Sequence, residues 1–328
     1  STGGMEYAEH ICSFAFQGGE PTLAGLDFYR QVVVLQKQYA KPGVEIRNAI
    51  QTNGYTIDEE WAAFFKENHF LVGLSLDGPA ELHNRNRTDV QGKDTFNRVM
   101  QSVRLLKKHN VAFNILCVVT GQNARSVEKL YRFYRKQNFR WLQFIPCIDP
   151  FDRADGEPCY TLTADGYGDF LVRLFDLWFD DLRHGEYISI RHLDNWLSIL
   201  LGERPEPVIW QAAVRYSSLW KETAVCILVI FMCLDEWRLG NIGETGLADM
   251  QNSETAKRFV RQSLAVPEEC KTCQWFGLCR NGCRRDRDIL PNGVIGQNIY
   301  CAAYKKFFSE RFRQLAQSIE CIQRMQYR

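Results

Sequence analysis

Residues 12–26 read CSFAFQGGEPTLAGL, an apolar, β-rich run that ends in a Gly-Gly-Glu-Pro turn and leads into a helical pattern. The strand-then-helix order repeats as far as residue 147 and gives five strand candidates: Cys12–Gln17, Val44–Gln51, Phe70–Leu76, Val111–Thr120 and Trp141–Cys147. A helix candidate separates each strand from the next: Leu26–Ala40, Ile57–Asn68, Thr95–Asn110 and Ala124–Gln137. Repeated βαβ units with right-handed crossovers predict a parallel α/β sheet or partial barrel. Ligands of such folds lie at the carboxyl ends of the strands.

The chain divides into two predicted domains. A long amphipathic helix candidate, Ala164 to Arg183, closes the first domain, and irregular Cys-rich sequence begins near Tyr187. We therefore predict domains of residues 1–187 and 188–328. The segment Ser1 to His10 reads as a loop and the stub of a helix that runs directly into a strand. From this we expect part of the N-terminal region to be missing from the sequence.

Composition excludes several classes of partner. The 328 residues carry 40 Lys and Arg against 39 Asp and Glu with no basic stripe, so we expect neither nucleic acid nor an anionic membrane as a partner. The longest apolar run, Ala224 to Leu234, is about half of the ~20 residues that span a bilayer. No signal-peptide pattern precedes Cys12, which predicts a cytoplasmic protein whose cysteines are thiols. Clustered thiols in that compartment usually bind metal.

The strongest motif is a group of cysteines near the C-terminus. It reads Cys270-x2-Cys273-x5-Cys279-x3-Cys283 and is followed by Cys301. Thiolates at this spacing wrap a soft metal centre. A zinc knuckle also uses C-x2-C pairs, so the spacing alone fits iron-sulfur and zinc equally well. The fifth cysteine favours iron-sulfur, because a four-ligand zinc site would leave one thiol over.

Polar groups follow four of the strand candidates. At the first strand end, two glycines allow close approach to the backbone and Glu20 offers an acceptor, although this turn alone fits a plain loop equally well. The other three strand ends read QTNG (51–54), SLDGP (75–79) and CIDP (147–150). Each of these alone fits ordinary helix-capping turn chemistry. Four of them on one rim predict a ligand site.

These motifs resemble a known family. The Gly-Gly-Glu-Pro turn, the QTNG and SLDGP strand ends and the cysteine tail are similar to radical S-adenosylmethionine (SAM) enzymes with a SPASM domain. Three longer segments resemble the anaerobic sulfatase-maturating enzymes: CSFAFQGGEPTLAGL (12–26), FNILCVVT (113–120) and DEWRLGNI (235–242). The resemblance implies a partial (β/α)6, TIM-like barrel, the radical SAM core, whose first strand is missing here. A Cys-rich SPASM auxiliary-cluster domain would follow it.

The resemblance also implies roles for individual residues. The residues that would bind SAM are Gly19, Ser75, Arg87 and Ile148. Gln17 and Gln51 would face a peptide substrate. One auxiliary 4Fe-4S cluster would be ligated by Cys270, Cys273, Cys279 and Cys301, and Cys283 would supply one ligand to another cluster. The implied partners are a sulfatase polypeptide and an electron donor such as flavodoxin or ferredoxin.

The sequence departs from the family pattern in its activating motif. The family binds the cluster that reductively cleaves SAM with a C-x3-C-x2-C loop after the first barrel strand. Only three thiolates ligate that cluster, because its fourth iron must accept SAM itself. No cysteine triplet with this spacing occurs in the 328 residues.

A second departure covers residues 207–233, where the resemblance implies three further cysteines and a catalytic Asp. Those cysteines would fall near Val208, Val214 and Val229, and the Asp would fall at Ile230, so this sequence has no catalytic residue there. One permitted back-translation of YSSLWKETAVCILVIFM (216–232), read from its third base, gives QFVVEGDGSVYPCDFY. This shifted reading matches the family segment, and we interpret the region as a compensated frameshift. Cys226 and Cys233 are then accidental.

Three functional interpretations follow. The first is an enzyme of the sulfatase-maturating type, in which a 5′-deoxyadenosyl radical removes a Cβ hydrogen from a Cys or Ser and leaves Cα-formylglycine. The second is another SPASM-type peptide maturase, for example one that forms thioether crosslinks. The third is a catalytically inactive iron-sulfur or peptide-binding protein. For the 328 residues as they stand the third is favoured, because the activating triplet is not among them.

Overall fold

The computed structural model describes residues 11–148, 162–203, 218–220, 225–228, 235–241, 243–289 and 294–326. The chain forms two compact units. The first unit runs to Cys147 and includes residues 187–191; the second comprises residues 148–186 and those from His192 onward. The predicted domain boundary between residues 187 and 188 stays a prediction.

The first unit is built on a six-stranded sheet whose strands lie side by side in chain order. The strands are β1 (Ile11–Phe16), β2 (Glu45–Thr52), β3 (Leu71–Ser75), β4 (Phe113–Val119), β5 (Trp141–Pro146) and β6 (Ser189–Ile190). Every neighbouring pair is parallel. Five strands lie where the sequence pattern predicts them. The sixth has only two residues, too few to produce a pattern.

Five helices connect the first five strands. They are α1 (Leu26–Tyr39), α2 (Glu59–Glu67), α3 (Ala80–His83), α4 (Phe96–Lys108) and α5 (Val127–Lys136). Right-handed crossovers that always step in the same direction place their helices on one face of a sheet. This winding is that of a partial barrel, and it leaves the other face open for a site.

Burial distinguishes the two faces of the sheet. Alternate residues are at most 3% exposed and form the apolar, helix-covered face: Ile50, Val72, Leu74, Ile115, Cys117, Leu142 and Phe144. An aromatic group lies in this layer, with ring centroids 5.4 Å apart for Tyr29 and Trp61 and 5.6 Å apart for Phe65 and Phe70. Burial of each such side chain stabilises the fold by about 1.5–3 kcal/mol. The intervening residues belong to the opposite face and carry most of the polar groups.

The second unit contains small sheets and further helices. Its helices are α6 (Ala164–Arg183), α7 (Arg191–Leu200, mostly in this unit), α8 (Leu247–Asn252), α9 (Glu254–Leu264), α10 (Glu268–Lys271), α11 (Phe276–Cys279) and α12 (Cys301–Gln326). Its strands are β7 (Ser218–Trp220), β8 (Val225–Leu228), β9 (Arg238–Asn241), β10 (Arg287–Ile289) and β11 (Ile295–Asn298), which pair antiparallel. The amphipathic segment predicted from Cys301 to Met325 is the helix α12.

The helix α12 packs against α6 and α7 through both apolar and ionic contacts. Asp176 on α6 accepts hydrogen bonds from the Arg311 guanidinium at 2.7 and 3.0 Å. Trp196 on α7 stacks on Phe307 with ring centroids 4.7 Å apart. These contacts fix the helix that begins with Cys301.

None of the helices in the described part of the chain is both long and apolar enough to cross a membrane.

Candidate functional site

The open face of the sheet carries a row of amides. The register pairs Gln51 with Gly73 and Gly73 with Asn114. Gln17 directly follows Phe16, whose partner is the residue before Gln51. Gln51 and Asn114 are half-buried and Gln17 is exposed. Gly73 has no side chain, and the Leu116 side chain occupies the space beside it. A Cβ placed on Gly73 would lie 2.9 Å from Leu116 Cδ1 and 3.5 Å from Asn114 Oδ1.

The Gly-Gly-Glu-Pro turn ties the ends of β1 and β2 together. Glu20 Oε1 accepts hydrogen bonds from the backbone N–H and hydroxyl of Thr22 and from Thr52 Oγ1, at 3.1, 2.6 and 2.7 Å. Glu20 Oε2 accepts the backbone N–H of Asn53 at 2.7 Å. The Glu20 carboxylate therefore fixes the rim, and its acceptor sites are used by the protein itself.

Gly18 and Gly19 give this turn its shape. Their φ values of 100° and 54° lie in the region that favours glycine. No atom lies within 4 Å of a Cβ placed at either residue. The backbone of Gly19, which the resemblance assigns to SAM, is therefore open to a ligand.

Ser75 and Arg87 lie at the next strand end, around a buried carboxylate. Ser75 ends β3 and is buried. Asp77 accepts hydrogen bonds from Arg87 Nε at 2.5 Å and from the backbone N–H of Val118 at 2.8 Å. The side chain of Arg87 is 25% exposed and that of Asp77 only 5%. The guanidinium is thus held at the rim by an anion beneath it.

His83 lies behind this ion pair and is fully buried. Its Nδ1 accepts the backbone N–H of Asp77 at 3.2 Å, and its Nε2 lies 3.1 Å from Thr95 Oγ1. Burial lowers the pKa of His83 from 6.5 to about 4, and the positive charge of Arg87 adds to this against the opposing effect of Asp77. The imidazole is neutral at physiological pH.

Acidification is expected to destabilise the first unit through His83. The folded-state pKa lies below the unfolded value of 6.5, so the unfolded chain binds more protons between pH 6.5 and about 4. The stabilisation is present above pH 6.5 and is lost as the pH falls towards 4, by about 3 kcal/mol of unfolding free energy. Urea unfolding of the parent and of His83→Gln at several pH values measures this. Equal pH slopes in the two proteins would contradict it.

Ile148 is the last described residue before the gap at 149–161 and is half-buried. It belongs to the second compact unit, whereas the other predicted SAM-binding residues belong to the first. The rest of the predicted strand end, Asp149 and Pro150, lies outside the described residues.

Three polar residues on the open face, Asn114, Gln143 and Arg191, were not predicted from the sequence. Asn114 Oδ1 is buried and has no hydrogen-bond partner among the described residues. Arg191 Nη1 donates to Gln143 Oε1 at 3.0 Å. The sequence does contain a signal for two of them. Asn114 and Gln143 are polar residues within apolar strands, at positions that alternate with the buried residues, and this alternation places them on the open face.

In the second unit, one cavity gathers four of the five predicted cysteine ligands: Cys270, Cys273, Cys279 and Cys301. Aromatic and polar side chains complete its lining, among them Trp275, Asn298 and Tyr304. Cys270 lies on α10, Cys279 ends α11 and Cys301 begins α12. Cys283 does not line this cavity and is buried elsewhere.

A pair of amides brings Cys301 beside the other three cysteines. Asn281 Oδ1 accepts the backbone N–H of Asn298 at 2.9 Å, and Asn298 Oδ1 accepts that of Tyr300 at 2.8 Å. The loop after Cys279 is tight, since a Cβ on Gly282, whose φ is +58°, would lie 2.4 Å from Asn298 Nδ2. The loop and the start of α12 are therefore locked together.

The donor set fits an iron-sulfur cluster better than a single ion. Within the described residues, no three Cys, His, Asp or Glu side chains are close enough to hold one metal ion. The four thiols instead surround a cavity, as ligands of a larger group do. Burial raises the pKa of Cys270 and Cys301, and that of Cys279 to about 12. A bound iron-sulfur cluster would supply positive charge that stabilises thiolates at these positions.

Several sequence-based predictions lie outside the described residues. They concern Val208, Val214, Val229 and Ile230, together with the first-strand region before Ile11. Cys226 lies in β8, where only the backbone is described, and Cys233 is not described. The frameshift over 207–233 therefore stays a prediction.

Comparisons with known proteins agree with both halves of this arrangement. The radical SAM superfamily profile matches residues 6–134, and the profile of an iron-sulfur cluster-binding domain, SPASM, matches residues 223–274. A cysteine-type anaerobic sulfatase-maturating enzyme from Clostridium perfringens (strain 13 / Type A) is 44% identical over an alignment of 322 residues, which covers 95% of this chain and 84% of the relative. The chain belongs to the anaerobic sulfatase-maturating enzymes.

A second relative and a solved structure are also similar to this chain. A serine-type family member from Bacteroides thetaiotaomicron is 31% identical, covering 90% of this chain and 74% of the relative. A solved structure described as native anSMEcpe with bound AdoMet and Kp18Cys peptide is 42% identical and has a TM-score of 0.92, covering 96% of this chain and 87% of that one. The chain has the radical SAM fold and a SPASM domain, and its family's cofactors are SAM and iron-sulfur clusters.

Proposed function

We propose that the protein oxidises a Cys or Ser side chain of a sulfatase polypeptide to Cα-formylglycine. The observation that carries the proposal is the TM-score of 0.92 to a relative described with bound AdoMet and a Cys peptide. In support, the open face of the sheet has a rim of polar strand ends beside a row of amides. The amides lie where a peptide backbone would find both donors and acceptors.

We assign cofactor binding to the rim. Gly19 offers exposed backbone, Ser75 a hydroxyl and Arg87 a guanidinium held by Asp77. Ile148 would contribute its backbone, as the resemblance implies. Peptide binding is assigned to Gln17 and Gln51.

The chemistry divides between the cofactors and the chain. When bound, SAM and the iron-sulfur clusters would supply the chemistry for removing a hydrogen atom from the target Cβ and for taking up the electron that is then lost. The chain would orient the peptide, and a base would have to take the remaining proton. The family Asp that would act as the base falls at Ile230, which cannot accept a proton. The electron donor, flavodoxin or ferredoxin, stays a prediction.

We assign a Cys target in preference to Ser. Identity is 44% to the cysteine-type relative and 31% to the serine-type relative. A thioether-forming maturase stays the alternative interpretation. The structure of Streptococcus suis SuiB is 13% identical with a TM-score of 0.57, which shows a shared fold alone.

We further propose that residues 1–328 on their own are inactive. The auxiliary site fits its cluster, but the 328 residues contain no C-x3-C-x2-C triplet for the cluster that cleaves SAM. On their own they would be an iron-sulfur protein that retains a peptide-binding face.

The cysteine cavity is expected to hold one 4Fe-4S cluster per chain. Anaerobic reconstitution should give about four iron and four sulfide per chain, since four thiolates hold such a cluster. Cys279→Ala removes a ligand that lines the cavity and should abolish most of this iron. Cys283→Ala is the matched control, because that thiol is buried but does not line the cavity. Stoichiometric zinc without sulfide would contradict the expectation.

The proposed reaction is tested with sulfatase-type peptides that carry either Cys or Ser. The protein used carries the family activating loop ahead of Ser1 and the shifted reading of residues 207–233. We expect an aldehyde at the target residue of the Cys peptide, formed faster than in the Ser peptide and detected by mass and by hydrazide capture. A crosslinked peptide would favour the thioether alternative. Recovery of both peptides unchanged would contradict sulfatase maturation.

A further inference from the structure

A closed ring of hydrogen bonds joins Asp77 to Arg87. The backbone N–H of Asp77 can only donate, so His83 Nδ1 is the acceptor of their 3.2 Å contact. A neutral imidazole then carries its proton on Nε2 and donates it to Thr95 Oγ1 at 3.1 Å. The Thr95 hydroxyl donates in turn to the carbonyl of Arg87 at 2.7 Å. The donor and the acceptor of each of these hydrogen bonds are therefore determined.

The side chains of the same two residues close the ring. Arg87 Nε donates to Asp77 Oδ2 at 2.5 Å, and Arg87 Nη2 lies 3.4 Å from Asp77 Oδ1. The carboxylate cannot follow a moving guanidinium, because Oδ1 also accepts the backbone N–H of Val118 at 2.8 Å. Arg87 is therefore fixed at both its backbone and its side chain.

One edge of the guanidinium stays available. Within the part of the chain that the structure describes, Asp77 is the acceptor recorded for the Arg87 side chain, and it takes the Nε and Nη2 side. The other edge, with Nη1, belongs to a side chain that is 25% exposed. A planar guanidinium held in this way is suited to receive a carboxylate.

We propose that Asp77, His83 and Thr95 are positioning residues that hold Arg87 so that its free edge receives the carboxylate of SAM. The inference rests on the proposed function, and it adds three residues that the sequence pattern did not assign. None of the three needs to touch the cofactor. Their effect is to keep the guanidinium in one orientation before SAM arrives.

The test follows the Nε–H signal of Arg87 in ¹⁵N NMR spectra of the 328-residue chain, assigned by its loss in Arg87→Lys. In the parent this signal should exchange slowly with water and should shift saturably with added SAM. Asp77→Asn keeps an acceptor for Val118 but removes the charge, and it should abolish the slow exchange. SAM affinity should fall about 10- to 100-fold, as expected for loss of a hydrogen bond between charged groups.

Thr95 supplies a matched pair. Thr95→Val removes the hydroxyl and Thr95→Ser keeps it, and helix α4 is unaffected as its Thr95 N-cap makes no side-chain capping bond. The Val variant should bind SAM about 3- to 10-fold more weakly, and the Ser variant should match the parent. Backbone amide spectra report whether each variant is folded.

The inference is overturned if the Nε–H proton of Arg87 in the parent exchanges freely with water, or if SAM does not shift its signal. It is also overturned if Thr95→Val and Asp77→Asn have the same Nε–H signal and the same SAM affinity as the parent. The proposed function is tested separately by the aldehyde assay, which uses the protein with the activating loop. The inference can therefore fail while sulfatase maturation stands, and the reverse also holds.

Discussion

The 328-residue chain is expected to form no 5′-deoxyadenosine from SAM under dithionite, even after full iron-sulfur reconstitution. Reductive cleavage needs an electron delivered through a cluster that binds SAM at its fourth iron. Four cysteines line the cavity of the second unit. Each would ligate one iron of the auxiliary cluster, so no iron of that cluster would be free to bind SAM. Chromatography of the quenched reaction measures the product. Formation above a no-enzyme control would contradict this expectation.

The control is the same chain with the family C-x3-C-x2-C loop joined ahead of Ser1. We expect 5′-deoxyadenosine from this protein, and none from a version whose three loop cysteines are replaced by serine. Both proteins keep the rim of Gly19, Ser75 and Arg87. The comparison therefore separates loss of the activating cluster from loss of SAM binding.

The second large effect is expected at position 230. In the protein that carries the activating loop and the shifted reading of residues 207–233, position 230 is an Asp in place of Ile230. The versions with Asp and with Asn at this position should differ about 10²–10⁴-fold in aldehyde formation, the range for loss of a positioned base. The reason is that a substrate radical must lose a proton as well as an electron to become an aldehyde or thioaldehyde. Peptide oxidation followed by mass spectrometry gives the rates.

Formation of 5′-deoxyadenosine provides the internal control for this pair. Hydrogen abstraction precedes proton loss, so both variants should cleave SAM at similar rates. If the Asn variant oxidises the peptide as fast as the Asp variant, the residue at position 230 is not the base. Equal loss of both products would instead indicate a folding defect.

The sheet could be predicted because each of its main strands is a short apolar run that ends in turn residues. Period-two alternation within β4 also marks Asn114 as a residue of the open face, although the sequence analysis did not use it. The strand β6 could not be found in this way, because Ser189 and Ile190 pair only through the tertiary structure.

The roles of individual polar groups were harder to predict. Glu20 looked like an open acceptor, but Thr52 and Asn53, more than thirty residues away, occupy it. Asp77 looked like a turn residue and proves to hold Arg87. The cysteine spacing predicts a metal-binding tail, and four of these cysteines line one cavity. The contact of Asn281 with Asn298 that gathers them joins residues 17 positions apart in the chain. Local patterns carry no information about such contacts.

The anchoring of α12 bears on how the protein is assembled in the cell. Asp176 and Trp196 hold this helix through contacts that involve no metal, and Asn298 holds the turn just before Cys301. Small zinc domains, in contrast, are unfolded until their metal binds. The second unit is therefore expected to fold first and to bind its iron afterwards. Iron starvation would then leave a folded reserve of apoprotein that can be loaded when iron returns.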